Sequence, residues 1–207
     1  MASNRNTSAA FTLLELLIVI VLVSTLAVLI VPNAQSAVEE QLRAAARIVA
    51  GDLDYARMLS LTYNSEYSVD FESEQNRLVV RHSGSDTTLN ALPPSAFRSS
   101  QDAADEHVVR LGSLPGIDER ITIFSSYYID DSLQQADSVE FRSLGETTRS
   151  QSTYLWLAAG SGAGRVYIPL TIHPVTGLAR VGPLQNSTPP APLVGQGASQ
   201  LETGGSL

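Results

Sequence analysis

From Phe11 to Val31 the chain runs FTLLELLIVIVLVSTLAVLIV, twenty-one residues in which Glu15 alone is charged. As a helix this stretch would be about 31 Å long, close to the hydrocarbon thickness of a bilayer, so one membrane span is expected. After Pro32 the pattern changes. Val38, Leu42, Ala45, Val49, Leu53 and Ala56 recur at steps of four and three, the apolar face of an amphipathic helix running to about Tyr63. The two stretches read as one helix of about 53 residues, about 80 Å long if straight. Pro32 lacks a backbone donor and crowds the preceding turn, which predicts a bend or unwinding near Ala27 to Val31, and Gly51 is a second candidate bend. The small alanines of the stripe suit packing on a sheet better than a coiled-coil seam.

Beyond Asn64 the period becomes that of strands. Tyr67, Val69 and Phe71 alternate, and Leu78 to Arg81, Val108 to Leu111 and Ile121 to Phe124 follow as short strands. Later candidates are Ser138 to Arg142, Thr153 to Ala158, Arg165 to His173 and Leu178 to Val181, with Pro174-Val175-Thr176-Gly177 as a hairpin turn. Ser83 to Glu106, with Pro93-Pro94, reads as a long inserted loop, and Gln185 to Leu207 reads as a flexible tail. The economical architecture is a helix laid on an antiparallel sheet.

Composition narrows the chemistry. A net charge of -8 lacks the basic footprint of a nucleic-acid binder, and with no cysteine there is no disulfide, thiol nucleophile or thiolate metal site. His82, His107 and His173 have no metal-protease spacing, and no serine sits in a GxSxG setting. Gly160 to Gly164 lacks the lysine of a phosphate-binding loop and reads as a turn. Asp130-Asp131 and Asp102 to Glu106 are acidic, yet without the DxDxDG order of a calcium loop they read as solvated loop charge. No cofactor, metal or catalytic group is expected.

A carboxylate near the start of a membrane helix costs a few kcal/mol if unpaired at the bilayer centre, so Glu15 requires the interface or a cationic partner. At the interface it would also favour the positive end of the helix dipole. Its neighbours sharpen this: Ala10-Phe11-Thr12-Leu13-Leu14-Glu15-Leu16 resembles the processing site of type IV prepilins and pseudopilins. The resemblance implies that a prepilin peptidase cuts a cytoplasmic leader between Ala10 and Phe11, that Phe11 becomes the methylated N-terminus, and that Glu15 is the fifth mature residue. Pro32 falls where family members often carry a helix-kinking proline. Ala10 stands where the family usually has glycine, and the leader, with Arg5 alone, is poorer in basic residues than is typical. A secretory signal peptide cut at Ala34-Gln35-Ser36 fits less well, because its apolar core would be too long and would begin with an acid.

A second resemblance, to minor pseudopilins of the GspH and FimT type, rests on Ala56-Arg57-Met58-Leu59-Ser60, Phe141, Leu144-Gly145, Arg165 and Thr176-Gly177-Leu178-Ala179-Arg180. It covers most of residues 11 to 182 by order of elements. Turn geometry alone also accounts for Thr176-Gly177. The expectation is an α+β fold, a long transmembrane-plus-amphipathic helix packed on an antiparallel β-sheet domain. Its parts would be a leader (1–10), a membrane half-helix (11–32), an amphipathic half-helix (33–63), a periplasmic β-rich domain (64–182) and a flexible tail (183–207). The implied role is a non-enzymatic minor pilin or pseudopilin in the inner membrane, N-terminus cytoplasmic, assembling through its first helix into a type II secretion pseudopilus or type IV pilus. Implied partners are prepilin peptidase, other pilins or pseudopilins, the assembly platform and the membrane. The alternative is a single-pass periplasmic binding or enzymatic domain that uses the helix only as a tether.

Overall fold

The computed structural model describes residues 12–30, 34–93 and 102–190. The chain divides into two units, Met1–Gln35 and Ser36–Leu207. In the first, α1 (Leu13–Ile30) is exposed from Leu13 to Thr25. Apolar side chains on every side, such as Leu13, Leu17, Ile20 and Val23, leave it without a polar face for water. Of the two hydroxyl residues within this run, Ser24 and Thr25, Thr25 donates to the Leu22 carbonyl at 2.9 Å. Ala27–Ile30, where a bend was expected, remain α-helical. Pro32, like the leader and Phe11, lies outside the described residues.

Among the described residues no helix is long and apolar enough to cross a membrane. The 18 residues of α1 reach about 27 Å, just short of a bilayer core, and the apolar run of the sequence extends past both ends of the helix.

The second unit is built on α2 (Ala34–Tyr63), which passes through Gly51 without interruption. Leu42, Ala45, Ala46, Val49, Leu53, Ala56 and Leu59 form its buried stripe. Asn64 then takes a left-handed conformation at φ 49°, and the Ser65 amide donates back to the Ser60 carbonyl at 3.2 Å. That bond closes the helix with a Schellman-type cap, turning the chain into the first strand.

Nine strands follow among the described residues: β1 (Tyr67–Glu72), β2 (Arg77–His82), β3 (Glu106–Arg110), β4 (Thr122–Ile129), β5 (Leu133–Gln135), β6 (Ser138–Phe141), β7 (Thr153–Ala159), β8 (Val166–Ile172) and β9 (Ala179–Val181). They form two antiparallel sheets, one ordered β3-β2-β1-β6 and the other β5-β4-β7-β8-β9. One core joins α2 to both: Tyr67, Val69, Leu78 and Val80 from the first, Leu155, Leu157, Ile168 and Leu170 from the second. A flat nine-strand sheet would be about 40 Å wide, far wider than a helix about 10 Å across can cover. Dividing the strands lets both sheets bury their inner faces on the same stripe.

The outer face of the five-stranded sheet carries its own buried cluster of Tyr127, Trp156, Ala158 and Tyr167, with the Trp156 indole donating to the Tyr127 hydroxyl at 3.2 Å. β7 is thus buried on both faces, which is why Leu155 to Ala158 is apolar without alternation. The described start of the expected tail runs against this sheet. Gln185 and Tyr167 exchange two backbone hydrogen bonds of 2.8 Å, Pro189 is buried, and the Ser125 hydroxyl donates to the Pro190 carbonyl at 3.4 Å. The two sheets are also tied at Asn76, in the β1–β2 turn at φ 50°. Its amide donates to the Ile121 carbonyl at 2.7 Å, and its side-chain oxygen accepts from the Ile123 amide at 3.0 Å.

Candidate functional site

The chemistry of α1 is concentrated in its first turn. Thr12 precedes the helix, and its hydroxyl accepts from the Glu15 amide at 3.2 Å while its carbonyl accepts from the Glu15 and Leu16 amides at 3.1 and 3.2 Å. Thr12-Leu13-Leu14-Glu15 is therefore capped at its N-terminus and has the threonine–x–x–glutamate spacing of a capping box. Glu15 is exposed in the first turn, where the unpaired amide ends of the helix favour a negative charge. Thr12 is the residue that sequence reasoning passed over here, although that spacing was available to find it. Ala10, Phe11 and Pro32 lie outside the described residues.

The second unit brings together several of the short segments singled out in the sequence. The Arg57 Nε donates to the Thr176 carbonyl at 2.6 Å, joining α2 to the β8–β9 turn. Gly177 closes that turn at φ 64°, and its α-carbon faces the Gly145 carbonyl so closely that an added Cβ would overlap the oxygen. Gly145, itself at φ 81°, packs on Arg57 and Leu61. Phe141 is fully buried just before this loop, whereas Arg165 lies over the Phe124 and Tyr167 rings, away from the Arg57 contacts.

Each of two histidines finds partners distant in sequence. The Ser65 hydroxyl lies 2.7 Å from His82 Nε2, and His82 Nδ1 lies 2.8 Å from the Asn90 side-chain oxygen. The arrangement has the order of a hydrolytic triad, but the Gly84 backbone sits directly over the Ser65–His82 bond. It pins the α2–β1 junction to the chain leaving β2. Buried His107 on β3 meets buried Asp52 on α2 at 3.2 Å, with the Tyr55 ring edge-on to the imidazole. His173 starts the β8–β9 turn, where its carbonyl accepts from the Gly177 amide at 2.8 Å.

The acidic loops are engaged in side-chain contacts: Asp130 accepts from Gln151 at 2.9 Å and Asp102 from Arg110 at 2.7 Å. Among the described residues, no group of three His, Cys, Asp or Glu side chains is placed to hold a metal.

These features define an α+β protein: an apolar helix with an acidic, capped start, and a separate unit in which an amphipathic helix packs on antiparallel sheets. Residues 5–31 match the family model of the prokaryotic N-terminal methylation motif, so the chain begins as type IV prepilin-like proteins do, with the membrane anchoring that motif implies. No curated protein matches the chain. Among solved structures it is similar to the type IV minor pilin FimU of Pseudomonas aeruginosa in two crystal forms. One is 12% identical with a TM-score of 0.44, covering 73% of this chain and 94% of that one. The other is 13% identical with a TM-score of 0.41, covering 68% and 92%.

Proposed function

We propose that the protein is a minor pilin or pseudopilin, a structural subunit assembled through its N-terminal helix into a type IV pilus or type II secretion pseudopilus. The observation that carries this reading is the methylation motif over residues 5–31. Prepilin peptidase cuts between Ala10 and Phe11, and Phe11 becomes a methylated amine four residues before Glu15. The leader faces the cytoplasm, and the unit from Ser36 onward faces the periplasm, where it meets other pilins or pseudopilins and the assembly platform. The role is architectural rather than catalytic.

Glu15 supplies the driving force for the helix to find a partner. Two unit charges about 4 Å apart attract by about 4 kcal/mol at an effective dielectric near 20, comparable with the cost of an unpaired acid in lipid. The amine of Phe11 on a neighbouring subunit is such a partner. Pro32, as the twenty-second mature residue, would relax the helix at the membrane surface during packing.

The decisive measurement is the mass of the protein extracted from membranes. A mature chain beginning at N-methylated Phe11 is expected; a chain beginning at Met1 or near Ala37 would make it a tethered or secreted protein. Glu15→Ala should insert normally yet enter filaments at least about tenfold less, the equivalent of about 1.4 kcal/mol. Unchanged co-assembly of that variant would remove the charge-pairing argument.

A further inference from the structure

The aromatic side chains on the outer face of the five-stranded sheet are arranged as two walls. Register places Ser125, Trp156 and Pro169 side by side on β4, β7 and β8. Directly paired residues share a face, and Trp156 belongs to the outer cluster, so this row lies on the outer face. On one side of it Phe124 of β4 meets Tyr167 of β8 edge to face, with centroids 5.0 Å apart, across the intervening strand β7. On the other side Tyr127 and Tyr154 stack at 5.3 Å. Ser125 and Pro169 are shorter than the rings that flank them, and buried Trp156 is tied by its indole to the Tyr127 hydroxyl. The row is therefore a trough that runs across the strands between two aromatic pairs.

The chain's own C-terminal segment follows this trough. It leaves its bridge to Tyr167 at Gln185 and reaches Ser125 at Pro190, so it crosses β7, the strand between β8 and β4. Thr188 is exposed, Pro189 buried and Pro190 exposed. Proline fixes φ at about −65° and restricts the residue before it to extended conformations, so the sequence Thr188-Pro189-Pro190-Ala191-Pro192 favours polyproline II. That conformation has no internal hydrogen bonds, which leaves its carbonyls open to donors such as the Ser125 hydroxyl. No charged residue lies between Arg180 and Glu202, so ring contacts and carbonyl hydrogen bonds, not ion pairs, carry the recognition. Aromatic-lined grooves are the surfaces that hold such segments. The hold on this one is light. Beyond Gln185 no backbone hydrogen bond joins it to the sheet among the described residues, and the Ser125 bond is 3.4 Å long.

We infer that this trough is a proline-recognition site: it takes segments of Pro-x-x-Pro spacing in polyproline II form, and Thr188-Pro189-Pro190 is its resident, displaceable ligand. Prolines three apart, as Pro189 and Pro192 are, lie one polyproline II turn apart and face the same way. A proline segment presented by a neighbouring subunit competes for the same seat. The contact uses neither α1 nor cleavage before Phe11, so it goes beyond the pilin reading and the two can fail separately.

Trp156 is the chain's single tryptophan and lies in the site, so its emission reports occupancy. In the full chain, purified in detergent micelles, Pro189→Ala with Pro190→Ala should shift that emission to the red by opening the trough. A synthetic peptide of residues Asn186–Leu193 should reverse the shift saturably. Half-saturation should fall at least about tenfold below that of the parent, where the tethered resident competes at an effective concentration in the millimolar range. The same peptide with its three prolines replaced by alanine should leave the emission unchanged. Equal responses to the two peptides, equal half-saturation in parent and variant, or no response would each overturn the proposal. A second readout keeps the chain's prolines in place, since a chain without cysteine reports introduced thiols cleanly. Full-length Ser125→Cys, oxidised with the peptide carrying Ala191→Cys, should form the disulfide conjugate at least about tenfold more than with the proline-free peptide, which is not preset for the bound form. Equal yields from the two peptides would remove the trough as the seat.

Discussion

One substitution, glycine to alanine, should have opposite effects at two places in this chain. Gly51 is exposed within α2, and an added Cβ would touch nothing within 4 Å. Alanine there removes the entropic cost of glycine in a helix, stabilising the unit by about 1 kcal/mol. Gly177 is at φ 64°, where a side chain costs about 1–2 kcal/mol, and its Cβ would overlap the Gly145 carbonyl oxygen and crowd Arg57. Relieving that overlap requires backbone movement of the kind that costs about 1–3 kcal/mol in overpacked cores, for a total loss of about 2–5 kcal/mol. At roughly 2–4 °C per kcal/mol for a unit of this size, Gly51→Ala should raise the midpoint by about 2–4 °C and Gly177→Ala should lower it by about 4–20 °C. Thermal unfolding followed by near-ultraviolet circular dichroism on the full chain in detergent reads both. A Gly177→Ala midpoint equal to the parent's would refute the close packing of the β8–β9 turn on the β6–β7 loop. A fall for Gly51→Ala would mean that α2 bends there.

Asn76→Ala removes both side-chain hydrogen bonds between the sheets and leaves alanine at φ 50°, so chemical denaturation should show a loss of about 2–4 kcal/mol; less than about 0.5 would mean that the sheets are held by the core alone. Two arginine-paired aspartates should titrate in opposite directions. Partly exposed Asp118 is held down to about 2 by the side-chain and backbone hydrogen bonds from Arg120, whereas Asp70 is raised because its burial outweighs the pull of Arg81. Any stability contributed by Asp118 is present above its unfolded value and lost as pH falls towards about 2. That linked to Asp70 is present below its unfolded value and lost as pH rises through its elevated folded one. Carboxyl chemical shifts followed by NMR against pH would show both, and parallel titrations would contradict the burial assigned to Asp70.

Much of the fold was legible because burial imposes periodicity. The stripe from Leu42 to Ala56 and the alternation at Tyr67, Val69 and Phe71 are direct imprints of facing a core. β5 was not legible: Leu133-Gln134-Gln135 is a three-residue edge strand with a single apolar side chain. The division into two sheets was hidden too, since β6 returns to β1 by pairing Val139 with Val69, and no local pattern encodes a pairing that distant. Local spacing did reveal the acid at the start of α1, while the Arg57–Thr176 bond spans 119 positions and emerges only from the fold. His82 and His107 likewise gave no local signal, because Ser65, Asn90 and Asp52 reach them through tertiary packing.

The placement of β6 constrains how the second unit comes into being. It completes the four-stranded sheet, yet it lies in the chain between β5 and β7, both strands of the other sheet. A nascent chain ending before Ser138 can pair β1 with β2 and β2 with β3, but it leaves the other edge of β1 open while β4 and β5 have already emerged. The two sheets are therefore interleaved in time as well as in space. Neither corresponds to a continuous segment that could be excised, exchanged or lost by a single truncation without stripping strands from the other.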